Sequence, residues 1–234
     1  MTDFVLVHGA FHGGWCWQGL TERLVARGHR VFAPTLAGCA ERAHEDHARI
    51  SLETHIAEIA TLITEQGLRE IVLVGHSLGG MVVTAVADRC RDAIAQLVYL
   101  DAFIPASGEA ARDHIPAALY EPALQAVHRL GRRTSLPVIF PPAKFVRLEG
   151  AEQDDFMARL TPHPFLCFVE PVFLAHRPVA RRTFFFCEGV PFGLFDRFAE
   201  AARTDSTWRY HALPTAHDAM IEAPDLLADL LTGD

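Results

Sequence analysis

Gly75-His76-Ser77-Leu78-Gly79-Gly80 follows the apolar run Ile71 to Val74 and precedes a helical stretch from Leu78 to Cys90. A serine in a G-x-S-x-G turn between a strand and a helix is raised above the sheet on a strained bend, where its hydroxyl can attack a carbonyl. Gly75 and Gly79 suit a turn so tight that side chains would collide, and the helix N-terminus favours developing negative charge. A serine hydroxyl needs a base. In the order nucleophile, acid, histidine, the histidine follows the last strand. Trp208 to Leu213 reads as that strand, and Pro214-Thr215-Ala216-His217-Asp218-Ala219-Met220 follows it, so His217 is the expected base. His211, inside the strand, is the weaker choice.

The acid has two possible positions. The loop after the fifth strand, Cys187 to Phe192, offers Glu188, while Asp196 belongs to the following helix. Asp101 instead ends the apolar strand Leu97 to Leu100. A carboxylate ending a buried strand costs several kcal/mol unless it has a partner. An N–H of His217 would be such a partner and would fix its tautomer. Asp101 is therefore favoured, with Glu188 as the alternative. Acyl transfer also needs two donors aimed at the oxygen that becomes negative. Leu78, after the nucleophile, supplies one backbone N–H. Ala10, in the first loop His8-Gly9-Ala10-Phe11-His12-Gly13-Gly14, supplies the other. His8 and His12 have a ligand-like spacing, but nothing nearby completes a metal site, and loop-forming roles are favoured.

The elements needed to position these residues are legible. Apolar runs Phe4 to Val7, Val31 to Ala33, Ile71 to Val74, Leu97 to Leu100, Phe184 to Phe186 and Trp208 to Leu213 alternate with helical patterns. These include Leu20 to Ala26, ending at Gly28, and Ser51 to Glu65, capped through Ser51 and Thr54 and ended at Gly67. Strands apolar on both faces and separated by helices predict an α/β, doubly wound, mostly parallel sheet of about six strands, with helices on both faces. The stretch 103–181 breaks the rhythm and predicts a cap inserted after the strand ending at Asp101. It carries Phe103, Phe140, Phe145, Phe156, Phe165, Phe168 and Phe173. Phe11, His76, Phe103, Phe140 and Phe165 are the expected pocket residues, with some of the cap phenylalanines serving as plain core. One domain, 1–234, holds all of this.

Composition excludes several classes. Hydrophobic residues are 50% and charged residues 21%, ordinary for a packed globular chain. The net charge of -8 repels nucleic-acid phosphates. No G-x-G-x-x-G or phosphate-binding G-x-x-x-x-G-K-[ST] follows a strand. Cys16, Cys39, Cys90, Cys167 and Cys187 are widely spaced without a C-x-x-C, which predicts free thiols in a reducing compartment. The N-terminus shows no secretory pattern, and no apolar run reaches the ~18 residues of a membrane span. A cytoplasmic protein without membrane or nucleic-acid partner is expected; a homodimer stays open.

Two segments carry a resemblance. Phe4-Val5-Leu6-Val7-His8-Gly9-Ala10-Phe11-His12-Gly13-Gly14-Trp15-Cys16-Trp17 and Val72 to Met81, with His217-Asp218-Ala219-Met220, resemble the α/β-hydrolase branch of plant methylesterases, the salicylate-binding esterase, hydroxynitrile lyases and their bacterial esterase relatives. The resemblance implies the α/β-hydrolase fold and a cofactor-free, metal-free Ser-His-Asp esterase with Ala10 and Leu78 as oxyanion donors. It would cleave a small or medium carboxylic ester through an acyl-enzyme. Lyases of this branch carry a threonine and a lysine where Gly9 and Asp218 stand. The plant enzymes place their aspartate near Val190, which moves the acid role here to Asp101. A thioesterase or lactonase, a lyase-like enzyme and a small-molecule receptor remain the alternative readings.

Overall fold

The structure is a computed structural model describing residues 1–119, 121, 125, 134–138, 140–176, 181–190 and 193–233. Eight strands are described: β1 (Asp3–Val7), β2 (Arg30–Phe32), β3 (Ile71–His76), β4 (Ile94–Leu100), β5 (Ser135–Leu136), β6 (His163–Pro164), β7 (Arg182–Cys187) and β8 (Trp208–Leu213). Six of them form one sheet in the order β2-β1-β3-β4-β7-β8, and every neighbouring pair is parallel. The described α-helices are α1 (Gln18–Ala26), α2 (Leu52–Glu65), α3 (Gly79–Arg89), α4 (Pro142–Phe145), α5 (Gly150–Arg159), α6 (Leu166–Val169), α7 (Asp196–Thr204), α8 (Ala219–Glu222) and α9 (Pro224–Thr232).

Alternation along the strands builds two cores. Phe4, Leu6, Val72, Val74, Val98, Leu100 and Phe185 face Leu20 and Leu24 of α1 and Leu227 and Leu231 of α9. Val5, Val7, Leu73, Leu97, Tyr99 and Phe184 face α2, α3 and the segments between β4 and β7. Successive side chains point to opposite faces of a strand, so a run apolar at every position serves both layers. The edge strand β2 is partly exposed, and Ala33 falls outside it. α2 starts in a reciprocal cap: Thr54 N–H donates to Ser51 Oγ at 3.3 Å, and Ser51 N–H donates to Thr54 Oγ1 at 3.1 Å. Gly67, at φ 58°, follows its last turn.

The register aligns the carboxyl ends of the central strands. Val7 pairs with Gly75, His76 with Leu100, and Leu100 with Phe185. Loops leaving these ends therefore gather on one edge, where open parallel sheets place their sites. Between β4 and β7 the chain forms α4, α5, α6 and the two-residue antiparallel pair β5-β6. That stretch is tied to the sheet's loops by Thr161 N–H donating to the Phe11 carbonyl at 2.9 Å and by Asp218 N–H donating to the Phe145 carbonyl at 2.8 Å. The pair β5-β6 was not expected; strands of two residues, one ending in Pro164, leave no periodic signal.

Candidate active site

Ser77 lies one residue past β3 with φ 54°, the left-handed region that a non-glycine residue enters at a cost of about 1–3 kcal/mol. Its neighbours hold it there. Ser77 N–H donates to the Leu100 carbonyl at 3.2 Å, and the Ser77 carbonyl accepts from Gly80 N–H at 3.0 Å and Phe103 N–H at 3.2 Å. Small residues leave the room. A Cβ on Gly9 would stand 2.7 Å from Ser77 Cβ, and one on Gly75 2.8 Å from the Gly79 carbonyl oxygen.

Asp101 repeats the device one strand over. It sits at φ 42° after β4, with its N–H donating to the Phe185 carbonyl at 2.7 Å. The side chain is buried, and His217 Nδ1–H donates to its Oδ2 at 2.6 Å. Burial pushes the Asp101 carboxyl above its usual range, and the His217 hydrogen bond pulls the other way. Phe195 stacks on the His217 ring at 5.1 Å with an interplanar angle of 4°, fixing its tilt. Glu188 is exposed. Pro191 and Phe192, the rest of the loop expected to hold an acid, lie outside the described residues.

Ser77, Leu78, Ala10 and His217 line one cavity. Its apolar wall is made by Phe11, Phe103, Phe140, Phe145, Phe168 and Phe195. Phe11 is bent into the left-handed region at φ 71°. Two expected pocket residues are placed elsewhere. His76 is fully buried behind the bend, and its Nε2–H donates to the His217 carbonyl at 3.2 Å. Phe165 packs against the core rather than the cavity. Phe173 is exposed. Phe195, Leu194 and Ile115 join the lining without a signal in the sequence; Leu194 and Phe195 stand between β7 and α7, outside the segment 103–181 in which the sequence predicts apolar lining.

The first loop is fixed by its own histidines. His8 accepts Leu36 N–H at Nε2 (3.0 Å) and donates from Nδ1 to the Gly9 carbonyl at 2.8 Å. Burial pushes it down to about 3, so it is neutral. His12 lies 2.8 Å from both the Ala10 carbonyl and the Asp218 carboxylate, one through each ring nitrogen. Among the described residues, two groups bring three metal-type donor atoms within 4.8 Å of one another: His55, His163 and Cys167, and His76, His217 and Asp218. In the first, His55 Nε2–H donates to the Ala37 carbonyl at 2.9 Å and the Cys167 thiol sits 3.6 Å from His55 Nδ1. In the second, His217 is committed to Asp101 and Asp218 to His12.

A hydroxyl on a strand-to-helix bend and an imidazole held by a buried carboxylate, lining one cavity with Ala10 and Leu78, are features found together in hydrolases. Residues 4–230 match the model of the alpha/beta hydrolase family, and the chain belongs to that family. It is 36% identical to the carbendazim hydrolyzing esterase of Nocardioides sp. (strain SG-4G), over 100% of this chain and 99% of that protein. It is 35% identical to the pheophorbidase of Raphanus sativus, over 49% of this chain and 44% of the relative. Among solved structures, an extracellular alpha/beta-hydrolase from a Paenibacillus species, described as sharing structural and functional homology with tobacco salicylic acid binding protein 2, superposes with a TM-score of 0.85 at 22% identity, covering 100% of this chain and 98% of that one. A methylesterase from Arabidopsis superposes with a TM-score of 0.75 at 23% identity, covering 99% and 97%. Among the described residues, no helix is long and apolar enough to cross a membrane.

Proposed function

We propose that the chain is a carboxylic ester hydrolase working through an acyl-enzyme on Ser77, with His217 as base and Asp101 as its orienting acid. The observation that carries this reading is the 2.6 Å hydrogen bond from His217 Nδ1 to Asp101. It leaves Nε2 as the nitrogen able to accept a proton, on an imidazole that lines the same cavity as Ser77. His217 Nε2 takes the Ser77 proton as Oγ bonds to the carbonyl carbon. The Ala10 and Leu78 N–H groups hold the oxyanion. The intermediate collapses, the carbon–oxygen bond to the alcohol breaks, and His217 returns the proton to that alcohol. Water then repeats the sequence and frees the acid and Ser77.

The phenylalanine wall favours small or medium esters with an aromatic or apolar part. The full-length relative named for hydrolysing carbendazim agrees with an esterase assignment. The insertion 103–181 is read as the cap that supplies much of this wall. A hydroxynitrile-lyase-like reading loses support because Asp218 is buried against His12, with a negative group where such an enzyme would need a cation. Five free cysteines fit a reducing, cytoplasmic setting, and a small-molecule ester is the partner the site would take.

A panel of aryl, alkyl and thio esters assayed on wild type and Ser77→Ala tests the proposal, together with fluorophosphonate labelling read by mass. Hydrolysis and a single adduct on Ser77 are expected, both lost in Ser77→Ala. Turnover unchanged in the variant ends the reading.

A further inference from the structure

We propose that His12 and Asp218 form a buried ion pair that clamps the oxyanion-binding loop to the histidine loop, and that both are positioning residues for acyl transfer. The inference rests on the esterase reading above and deepens it. Both side chains are buried, at 0% exposure each. His12 offers two ring nitrogens and meets two acceptors, the Ala10 carbonyl through Nδ1 and Asp218 Oδ2 through Nε2, each at 2.8 Å. Neither acceptor has a proton to give if the carboxylate is ionised, so both nitrogens carry one and the ring is an imidazolium. Burial opposes that charge, but the Asp218 carboxylate outweighs it and holds His12 above its ordinary value.

The pair joins two loops and the end of β3. Ala10 belongs to the loop after β1, and its carbonyl is pinned by His12, which fixes the plane of the peptide beside its N–H. Asp218 directly follows His217, and its Oδ1 lies 3.4 Å from His76 Nε2, on the residue before Ser77. His76 is held neutral by burial and by the neighbouring histidines, and its Nδ1 has no hydrogen-bond partner among the described residues. It therefore carries its proton on Nε2 and gives it towards the His217 carbonyl. The titratable groups coupled to His12 are His8 on its own loop, His76 at the bend and His163 in β6; Arg159 covers Trp15, which packs on the His12 ring, and Asp218 is the carboxylate that faces it. The His12 ring also lines the cavity beside Ala10 and Ser77. A fixed charge at that wall orients the donors before substrate arrives and costs no rearrangement during reaction.

Three measurements separate this from simple packing. Nitrogen NMR of the wild type, assigned with His12→Gln, should show His12 with both ring protons at pH 8; a neutral ring there overturns the ion pair, whether or not any variant folds. In Asp218→Asn, kcat should fall about 10–100-fold with little change in KM, as expected when a donor is misaligned rather than removed. Affinity for an aryl trifluoromethyl ketone, which adds to Ser77 and places an oxyanion in the donors, should fall by the same factor while affinity for the product acid holds. The double variant His12→Gln/Asp218→Asn should lose no more than the single variant, as coupled partners do. Unchanged ketone affinity in folded Asp218→Asn sinks the clamp. Failure of wild type to form the Ser77 adduct sinks the esterase reading instead, and leaves the NMR result standing.

Discussion

Asp101 shows what a single residue's surroundings decide. It ends a buried strand and finds one short hydrogen bond, from His217. Glu188, the rival carboxylate, faces solvent. Asp101→Asn presents an amide to the same nitrogen and can stabilise the wrong tautomer, so kcat should drop about 10³–10⁴-fold with the fold intact, while Glu188→Gln stays within roughly twofold. Steady-state kinetics on one aryl ester checks both, and a severe loss confined to the Glu188 variant reverses the assignment. The Asp101–His217 contact is legible in the sequence because a carboxylate closing an apolar strand needs a partner. The His12–Asp218 contact is not, because His12 and Asp218 are far apart in the chain and only the fold brings their loops together.

At the scale of elements, the bend after β3 works because its glycines let three segments touch. A Cβ on Gly80 would stand 2.1 Å from the Phe103 carbonyl oxygen, which is backbone and has nowhere to go. Gly80→Ala should therefore destabilise the protein by about 1–3 kcal/mol, as overpacking does. In thermal melts that is roughly 2–4 °C per kcal/mol for a chain of this size; an unchanged melt would show that α3 can shift freely against the loop after β4. Strands β1, β2, β3, β4, β7 and β8 and helices α1, α2 and α3 are readable from apolar runs and end signals, with bounds moved by a few residues. What periodicity cannot carry is left-handed backbone at non-glycine positions. Phe11, Ser77 and Asp101 all adopt it, and all three sit at the site. The same limit explains the pocket: the phenylalanines were visible, but whether Phe165 or Phe195 turns inward depends on loop paths that leave no repeat.

Across the whole molecule, buried histidines should set the response to acid. Burial lowers His8 to about 3 and holds His55, His76 and His163 below their ordinary value of 6.5. These groups are neutral when folded and take up protons when the chain unfolds. Each contributes stability that is present above pH 6.5 and declines as pH falls from there towards its folded value. His12 acts in the opposite sense: its raised value adds stability that is full below pH 6.5 and fades as pH rises through the folded value. Asp101, also raised, likewise favours the folded state less as pH climbs past 3.8. His47, His114 and His211 are lowered as well, so seven lowered histidines outnumber these two, and the melting temperature should fall steadily between pH 6.5 and 4, with net proton uptake on unfolding. A flat profile in that range would mean that these rings reach solvent or a counter-charge. Composition announces many histidines, but only the packing of the loops and of the segment between β4 and β7 against the sheet reveals which are dry.

That packing also bears on how the segment between β4 and β7 can be exchanged. Its backbone grips the rest of the molecule at the Phe11 carbonyl, in the loop beside Ala10, and through the Phe145 carbonyl, which receives the N–H next to His217. A graft from a relative would alter more than the shape of the chamber. Unless the donor piece restores both handholds, the loops around Ala10 and His217 would lose their alignment, and under the proposed esterase reading a chimaera built for a new ester would turn over slowly on every ester.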